Sequence, residues 1–186
     1  MTDGEWELLR AVRLEMLADT PTAYVESLAS AQVQTEGQWR SRALAMTSPG
    51  SVTFVADDGS AGSSFSGLMR VVLKHPQECF RPLQAMLISV YVAAAQRGTG
   101  LADELLEMSI AAAEHELGAG LLQLGVHEDN TRALALYVRH GFHDTGRREV
   151  YPLDASKKEI IMELRLKPTA ASLINAQAAR AKAQGG

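Results

Sequence analysis

Residues 92–102, VAAAQRGTGLA, constrain this chain more than any other stretch. They follow an apolar run, MLISVYV at 86–92, which reads as a strand buried on both faces. They lead into a helix expected over about residues 99–117. Its buried stripe is Leu101, Leu105, Met108 and Ala112, and its Glu104, Glu107 and Glu114 face outward. A strand that turns directly into a helix aims the helix's unbonded first amides, and its positive dipole end, at whatever lies beyond the strand. Gly98 and Gly100 let the backbone approach an anion closely, and successive amides there can form a nest. The loop has neither the terminal Lys-Ser/Thr of a Walker A loop nor the G-x-G-x-x-G spacing of a dinucleotide fingerprint. A structural turn alone would have the same composition, so the flanking sequence decides.

Upstream, residues 5–18 place Trp6, Leu9, Val12, Arg13, Met16 and Leu17 at three-to-four spacing, an amphipathic helix. Thr20-Pro21 then resets the chain, with Thr as N-cap and Pro at the first helical position. Residues 22–46 read as one or two more helices, broken near Gly37. After Ser48-Pro49-Gly50 the period shortens. SVTFVA at 51–56, the turn signal Asp57-Asp58-Gly59 and the apolar run 65–73 predict a β-hairpin. Residues 60–66 are its expected mobile tip, and 75–82 form a further loop.

Downstream, Gly118 and Gly120 stop the central helix and residues 121–127 form the next strand. Asn130 caps a short helix to His140, Gly141 closes it, and residues 142–151 and 159–166 are two closing strands. Helices, a hairpin, then β-α-β-α-β-β predict one α/β or α+β domain with a mixed sheet over residues 1–167. The remaining 168–186 is an Ala-rich tail, helical at best.

The 186 residues suffice for one domain with a sizeable core. Eighteen Lys and Arg against 22 Asp and Glu leave a net charge of -4. With no basic stripe, this argues against nucleic acid as the main ligand and suits a cationic acceptor. Cys79 is the only cysteine, which excludes an intramolecular disulfide and a Cys-rich zinc site; a structural thiol and no metal are expected. Residues 1–17 carry early acids and do not read as a signal peptide, and no stretch approaches the ~18 apolar residues of a membrane span. A cytoplasmic protein with no membrane partner is the expectation.

Two signatures then coincide. Val92-x4-Arg97-x-x-Gly100-x-Ala102 resembles the pyrophosphate loop, V-x-x-x-x-[QR]-x-x-G-x-[GA], of the GNAT superfamily of acyl-CoA-dependent N-acyltransferases. Leu124-x-Val126-x3-Asn130-x-x-Ala133-x3-Tyr137-x3-Gly141-Phe142 resembles its second signature, and Ile160-Ile161-Met162-Glu163-Leu164 its closing strand. The likeness runs in order over residues 51–166. It implies a mainly antiparallel sheet flanked by helices and splayed between the two signature strands.

The resemblance also implies acetyl-CoA as co-substrate. Val90 and Val92 would pair with its pantetheine arm, and Arg97, Gly98, Thr99, Gly100, Leu101 and Ala102 would hold its pyrophosphate. Asn130 would contact the cofactor arm or serve only as an N-cap. Tyr137 would be the general acid that protonates the CoA thiolate as an amine attacks directly in a ternary complex. A backbone N–H of Val92 or a neighbour would polarise the thioester carbonyl.

This chain departs from the family's pattern in three respects. Its first helix starts at residue 5 with no strand before it, and Ala94 stands where a Pro is common. Met86 and Gly125 occupy the positions where many members carry a catalytic Glu. A water chain is then the leading candidate for the base, with His127, Glu128 and Glu149 as side-chain alternatives. Glu26, Asp144 and Glu149 are candidates to attract a cationic acceptor. Residues 1–46 and 152–158 are expected to shape its site, with Trp6, Tyr24 and Trp39 either packing the core or lining the acceptor. The acceptor expected is a small-molecule amine or a peptide amine. A homodimer through the closing strands or the tail is compatible with the pattern. The rival reading is a non-catalytic acyl-CoA-binding regulatory module; a toxin-like enzyme acting on aminoacyl-tRNA would need a basic face that the sequence lacks.

Overall fold

A computed structural model describes residues 5–57, 64–74, 83–174 and 178. Its helices are α1 (Trp6–Asp19), α2 (Leu28–Gln32), α3 (Glu36–Met46), α4 (Leu101–His115) and α5 (Thr131–Arg139). Its strands are β1 (Ser51–Ala56), β2 (Gly67–Leu73), β3 (Leu83–Val92), β4 (Ala119–His127), β5 (His143–Val150) and β6 (Lys158–Arg165). The strands form one sheet in the order β1-β2-β3-β4-β6-β5, antiparallel except for β3 with β4. This is the mixed, mainly antiparallel α+β arrangement expected. No strand precedes α1 among the described residues.

The strand period of two sorts the side chains into two cores. Met69, Val71, Ala85, Leu87, Leu122, Leu124 and Val126 face α4 and α5, where they meet Leu105, Leu106, Tyr137 and Phe142. Leu68 and Tyr91 point the other way, into a cluster of Leu9, Val12, Met16 and Trp39 from α1 and α3. The sheet is therefore sandwiched between two helical layers.

The central irregularity lies in β3. Between the pairs Leu68↔Tyr91 and Arg70↔Ile88, β2 advances two residues and β3 three, so β3 carries one extra residue. Ser89 there has φ of 55°, unusual for a residue with a side chain. A bulge bends its strand and increases the local twist. β3 pairs with β4 only from Leu83↔Ala119 to Met86↔Gln123, after which the two strands separate.

Several local expectations change. The break within residues 22–46 falls at 33–35, and Gly37 lies inside the first turn of α3. Thr35 sets that start: its hydroxyl accepts from Gln38 N (3.4 Å), and the Gln38 side chain accepts from Thr35 N (2.8 Å), a capping box. Thr20 does not cap; its hydroxyl donates to Met16 O at 3.2 Å, and residues 21–23 form only a 3-10 turn. α4 runs over Leu101–His115 with Leu106 and Ser109 buried, whereas Met108 is 43% exposed. Residues 86 and 88–90 are half-buried rather than buried on both faces, and beyond residue 86 β3 has no β4 neighbour beside it. Residues 58–63 and the 75–82 loop with Cys79 lie outside the described residues. In the tail, Thr169 Oγ1 accepts from Ser172 N at 3.1 Å and starts a helical turn at 170–174.

One polar knot fastens the helices of the second layer. Glu26 accepts from Arg13 Nε and Nη2 (3.0 and 2.9 Å), from Arg42 Nη1 and Nη2 (3.1 and 2.7 Å) and from Gln34 Nε2 (2.9 Å). Burial raises its pKa, but the Arg42 and Arg13 guanidiniums outweigh that and hold the carboxyl below its ordinary 4.5. A depressed carboxyl stabilises the fold above its unfolded pKa and loses that contribution as pH falls through the folded value. Glu26→Gln is expected to cost on the order of 2 kcal/mol at neutral pH, since it leaves Arg13 and Arg42 without their anion. The variant should also lose less stability than the parent between roughly pH 5 and pH 3. Urea unfolding at these pH values measures both effects.

Candidate active site

Beyond the point where β3 and β4 separate, a cavity of about 460 Å³ lies between the end of β3, the loop after it and α5, walled by Tyr24, Val90, Val92, Gly98, Gly100, Asn130 and Leu136 among others. Backbone direction along β3 explains its chemistry. Tyr91 is in register with Leu68, and Ala93 N donates to Ser66 O at 2.8 Å, so these alternate residues turn their polar groups toward β2. Val90 and Val92 turn theirs toward the cavity. The Tyr24 hydroxyl donates to Val90 O at 2.9 Å and Arg97 Nε to Val92 O at 3.1 Å. On this alternation the two amides face the cavity as donors.

The loop after β3 is built as its composition suggested. Gly98 and Gly100 have φ of 82° and 97°. The Thr99 hydroxyl donates to Gln96 O at 2.8 Å and accepts weakly from Leu101 N at 3.4 Å. Gly100 is the N-cap of the 15-residue α4 and has no side chain to take the helix's first amides. A Cβ at Gly98 or Gly100 would meet nothing within 4 Å, so the hollow over the loop is open to a ligand. Leu101 and Ala102 open α4, and Ala102 also lines the cavity.

Arg97 is spoken for. Its guanidinium bonds Asp19 at the end of α1 as well as Val92 O, and so braces the loop against the helical layer. Two cations that the sequence reading passed over, Arg132 and Arg139, also line the cavity. They are seven residues apart on α5 and so share a face; that spacing was a signal available in the sequence. Arg139 bonds Asp103 at 2.7 Å, and His140 Nε2 lies 2.9 Å from the same oxygen. His140 and Arg139 together hold the Asp103 carboxyl below its usual range. Arg132 has no ion-pair partner among the described residues. Asn130 is an N-cap, its Oδ1 accepting from Ala133 N at 3.1 Å, and it lines the cavity as well.

Tyr137 lies on the inner face of α5, 5% exposed, with its ring 5.7 Å from that of Phe142. Burial, and then the neighbouring Tyr24, push its hydroxyl pKa upward. Tyr24 itself is pushed up to about 12, chiefly by burial. The sequence reading assigned Tyr24 only to core or acceptor wall. No pattern in the sequence pointed to its hydroxyl reaching Val90, 66 positions away.

The remaining candidates are largely engaged elsewhere. His127 is 5% exposed; its Nδ1 accepts from Asp129 N at 3.2 Å, and its ring meets Tyr151 edge-on at 4.8 Å. Glu128 accepts from Lys158 N at 3.1 Å, and Glu149 pairs with Arg147 at 2.8 Å. Asp144 is bound to Arg148 at 2.6 Å, and Glu26 is committed to the knot described above. Trp39 is buried in the second core, and Trp6 lies under Arg40. Lys157, from the loop between β5 and β6, holds Asp129 at 2.6 Å. No group of three or more His, Cys, Asp or Glu among the described residues is arranged to hold a metal ion.

A splayed sheet whose gap ends at a glycine-rich helix start defines a fold that takes an extended cofactor with an anionic end. A sequence model of the Acetyltransferase (GNAT) family matches residues 12–142, and the chain belongs to that family. Its fold is similar to an acetyltransferase of the GNAT family from Streptococcus pneumoniae (TM-score 0.72, 17% identity, 90% of this chain and 96% of that one). It is also similar to ribosomal-protein-alanine N-acetyltransferase from Brucella melitensis (0.70, 23%, 89% and 97%). A third neighbour is yncA from Salmonella typhimurium, solved with its cofactor acetyl-CoA (0.69, 19%, 92% and 94%). No curated protein matches the chain. The family uses acetyl-CoA, and the open glycine loop and cavity-facing amides of this chain fit that molecule.

Replacing Gly100 tests the loop. Ala at φ of 97° is strained by roughly 1–2 kcal/mol, and relaxing that strain moves the amide cradle. Gly100→Ala is expected to weaken acetyl-CoA binding about tenfold by calorimetry. Gly37→Ala, in a helical turn with nothing within 4 Å of the added Cβ, is expected to leave binding unchanged.

Proposed function

We propose that this protein transfers the acetyl group of acetyl-CoA to a primary amine by direct attack within a ternary complex. The observation that carries the reading is the cavity at the parting of β3 and β4, which runs from Val90 and Val92 to the glycine cradle at the start of α4. Residues 1–167 form the catalytic domain in this reading, and 168–186 its tail.

The amides and carbonyls of Val90 and Val92 pair with the pantetheine arm as a further strand would. Backbone groups of Gly98, Thr99, Gly100, Leu101 and Ala102 hold the pyrophosphate at the start of α4, where the helix dipole favours it. Arg97 supports this loop through Asp19 and Val92, and Arg132 and Arg139 add positive charge along the cavity. Asn130 fixes the start of α5, and with it the position of Tyr137 two turns on.

Bound acetyl-CoA supplies an activated acyl carbon. The Val90 or Val92 amide then stabilises the oxyanion that develops on the acyl oxygen. Tyr137 keeps its proton at neutral pH, because burial raises its pKa. It donates to the departing sulfur, and the dry surroundings strengthen that bond. The acceptor is an amine of a small molecule or a peptide; the Brucella neighbour is named for an alanine of a ribosomal protein.

Thiol release from acetyl-CoA across a panel of amines and N-terminal peptides tests this. Tyr137→Phe is expected to lower kcat roughly 10²–10⁴-fold while leaving acetyl-CoA affinity unchanged. Parental turnover in that variant would remove the acid role from Tyr137. A parent that binds no acetyl-CoA would end the whole reading.

A further inference from the structure

We propose that Glu159 takes the proton from the acceptor's ammonium group, its carboxylate filling from β6 the space that Gly125 leaves on β4. The proposal rests on the acetyltransferase reading above.

Gly125 is two residues past the last β3–β4 pair, Met86↔Gln123, so it stands at the edge of the gap. A Cβ there would lie 3.5 Å from Cδ and from both carboxylate oxygens of Glu159. Glu159 is in register with His127, and its side chain runs diagonally back along β4 to cover the glycine. Gly125, His127 and Glu159 lie on the face turned away from α4 and α5, since Leu124 and Val126 occupy the other. Tyr151, against the His127 ring, donates to Tyr24 O at 2.7 Å, and the Tyr24 hydroxyl is on Val90 O. The same short chain of contacts joins the carboxylate's surroundings to the cavity wall.

The Glu159 side chain has no hydrogen bond or ion pair among the described residues, though its backbone pairs within the sheet. Glu26, Asp103, Glu128, Asp129, Asp144 and Glu149 all have one. A half-buried carboxylate without a partner is costly to keep, and it is the state a proton acceptor needs. Burial raises its pKa first and Glu149, opposite it on β5, raises it further, while His127 acts in the other direction. Tyr151 is the other titratable group facing it. A raised pKa narrows the gap to an alkylammonium near ~10, which makes the carboxylate a better base.

The proton inventory closes. Glu159 takes one proton from R–NH3+, and the amine lone pair then forms the C–N bond. The C–S bond breaks, its electron pair stays on sulfur, and Tyr137 protonates the thiolate. The second proton lost by nitrogen replaces the one Tyr137 gave, and Glu159 returns its proton to solvent. The net products are amide, CoA thiol and one released proton.

The test uses the full chain. The amine panel above is run against pH for the parent, Glu159→Gln, Glu149→Gln and the double variant Gly125→Glu with Glu159→Gln. Carboxyl NMR titration of the parent and of Glu149→Gln accompanies it. Glu159→Gln is expected to lose roughly 100-fold in kcat/KM at neutral pH, to recover at pH where the amine is already neutral, and to bind acetyl-CoA as the parent does. Glu149→Gln is expected to move the rising limb and the Glu159 resonance to lower pH. The double variant is expected to regain at least about tenfold over Glu159→Gln, because it puts a carboxylate back in the same space.

Parental turnover of Glu159→Gln at neutral pH overturns the proposal. So does loss of acetyl-CoA binding in that variant, which would mark a structural role, or a Glu159 resonance indifferent to Glu149. A parent that binds acetyl-CoA and acetylates no amine, with Glu159 titrating like an exposed carboxylate, overturns it as well. A parent that fails to bind acetyl-CoA strikes the underlying reading instead.

Discussion

Two parallel strands that pair over four residues and then part determine the rest of this molecule. The extra residue of β3 at Ser89 bends that strand while β2 still holds its other edge. Parting leaves backbone groups facing a cavity instead of a neighbouring strand, and such groups are costly if left without partners. The carbonyls of Val90 and Val92 are taken by side chains from outside the sheet, Tyr24 and Arg97. The amides keep their capacity to donate. The gap is thus half-closed in advance, in a way that favours a ligand presenting acceptors along its length.

The same contacts register the N-terminal helices to the gap. Arg97 bonds Asp19 at the end of α1, and the Tyr91 hydroxyl donates to Glu15 at 2.9 Å on the same helix. Tyr151 holds the backbone of Tyr24 from the far side. Apolar packing around Trp39 and Met16 supplies the bulk of the adhesion but little direction. The polar contacts at the end of α1 fix where that layer sits along β3. Glu26, half-buried under two guanidiniums, keeps α1 and α3 in step with the loop between them.

The sheet elements and the signature loop were legible because their causes are local. Alternation, glycine at positive φ and a cap at Asn130 are each written in a few adjacent residues. The break before Thr35 was misplaced at Gly37 because a capping box outweighs one glycine in a first helical turn. Met108 was misassigned because an apolar residue at helical spacing does not reveal how wide a stripe the sheet covers. Tyr24 was illegible for a deeper reason. Its hydroxyl meets a backbone carbonyl that is available only because two strands part far along the chain. Arg97 matched the loop motif, yet its side chain is directed by Asp19, which the motif does not contain.

A motif is read along one strand, but a sheet presents a surface on which neighbours come from different strands. Gly125 looks like an absence when β4 is read alone, because the position has no side chain to carry a charge. On the surface it is a shallow place beside the gap, and the diagonal neighbour on β6 covers it with a carboxylate. The electrostatic field at a reacting centre depends on where a charge sits, not on which Cα carries it. A residue 34 positions later can therefore occupy the space that a side chain at Gly125 would have filled. Only the strand register, which pairs His127 with Glu159, makes the two positions neighbours. The sequence encodes that register through the apolar alternation of β4 and β6, and so it held the neighbour relation without displaying it.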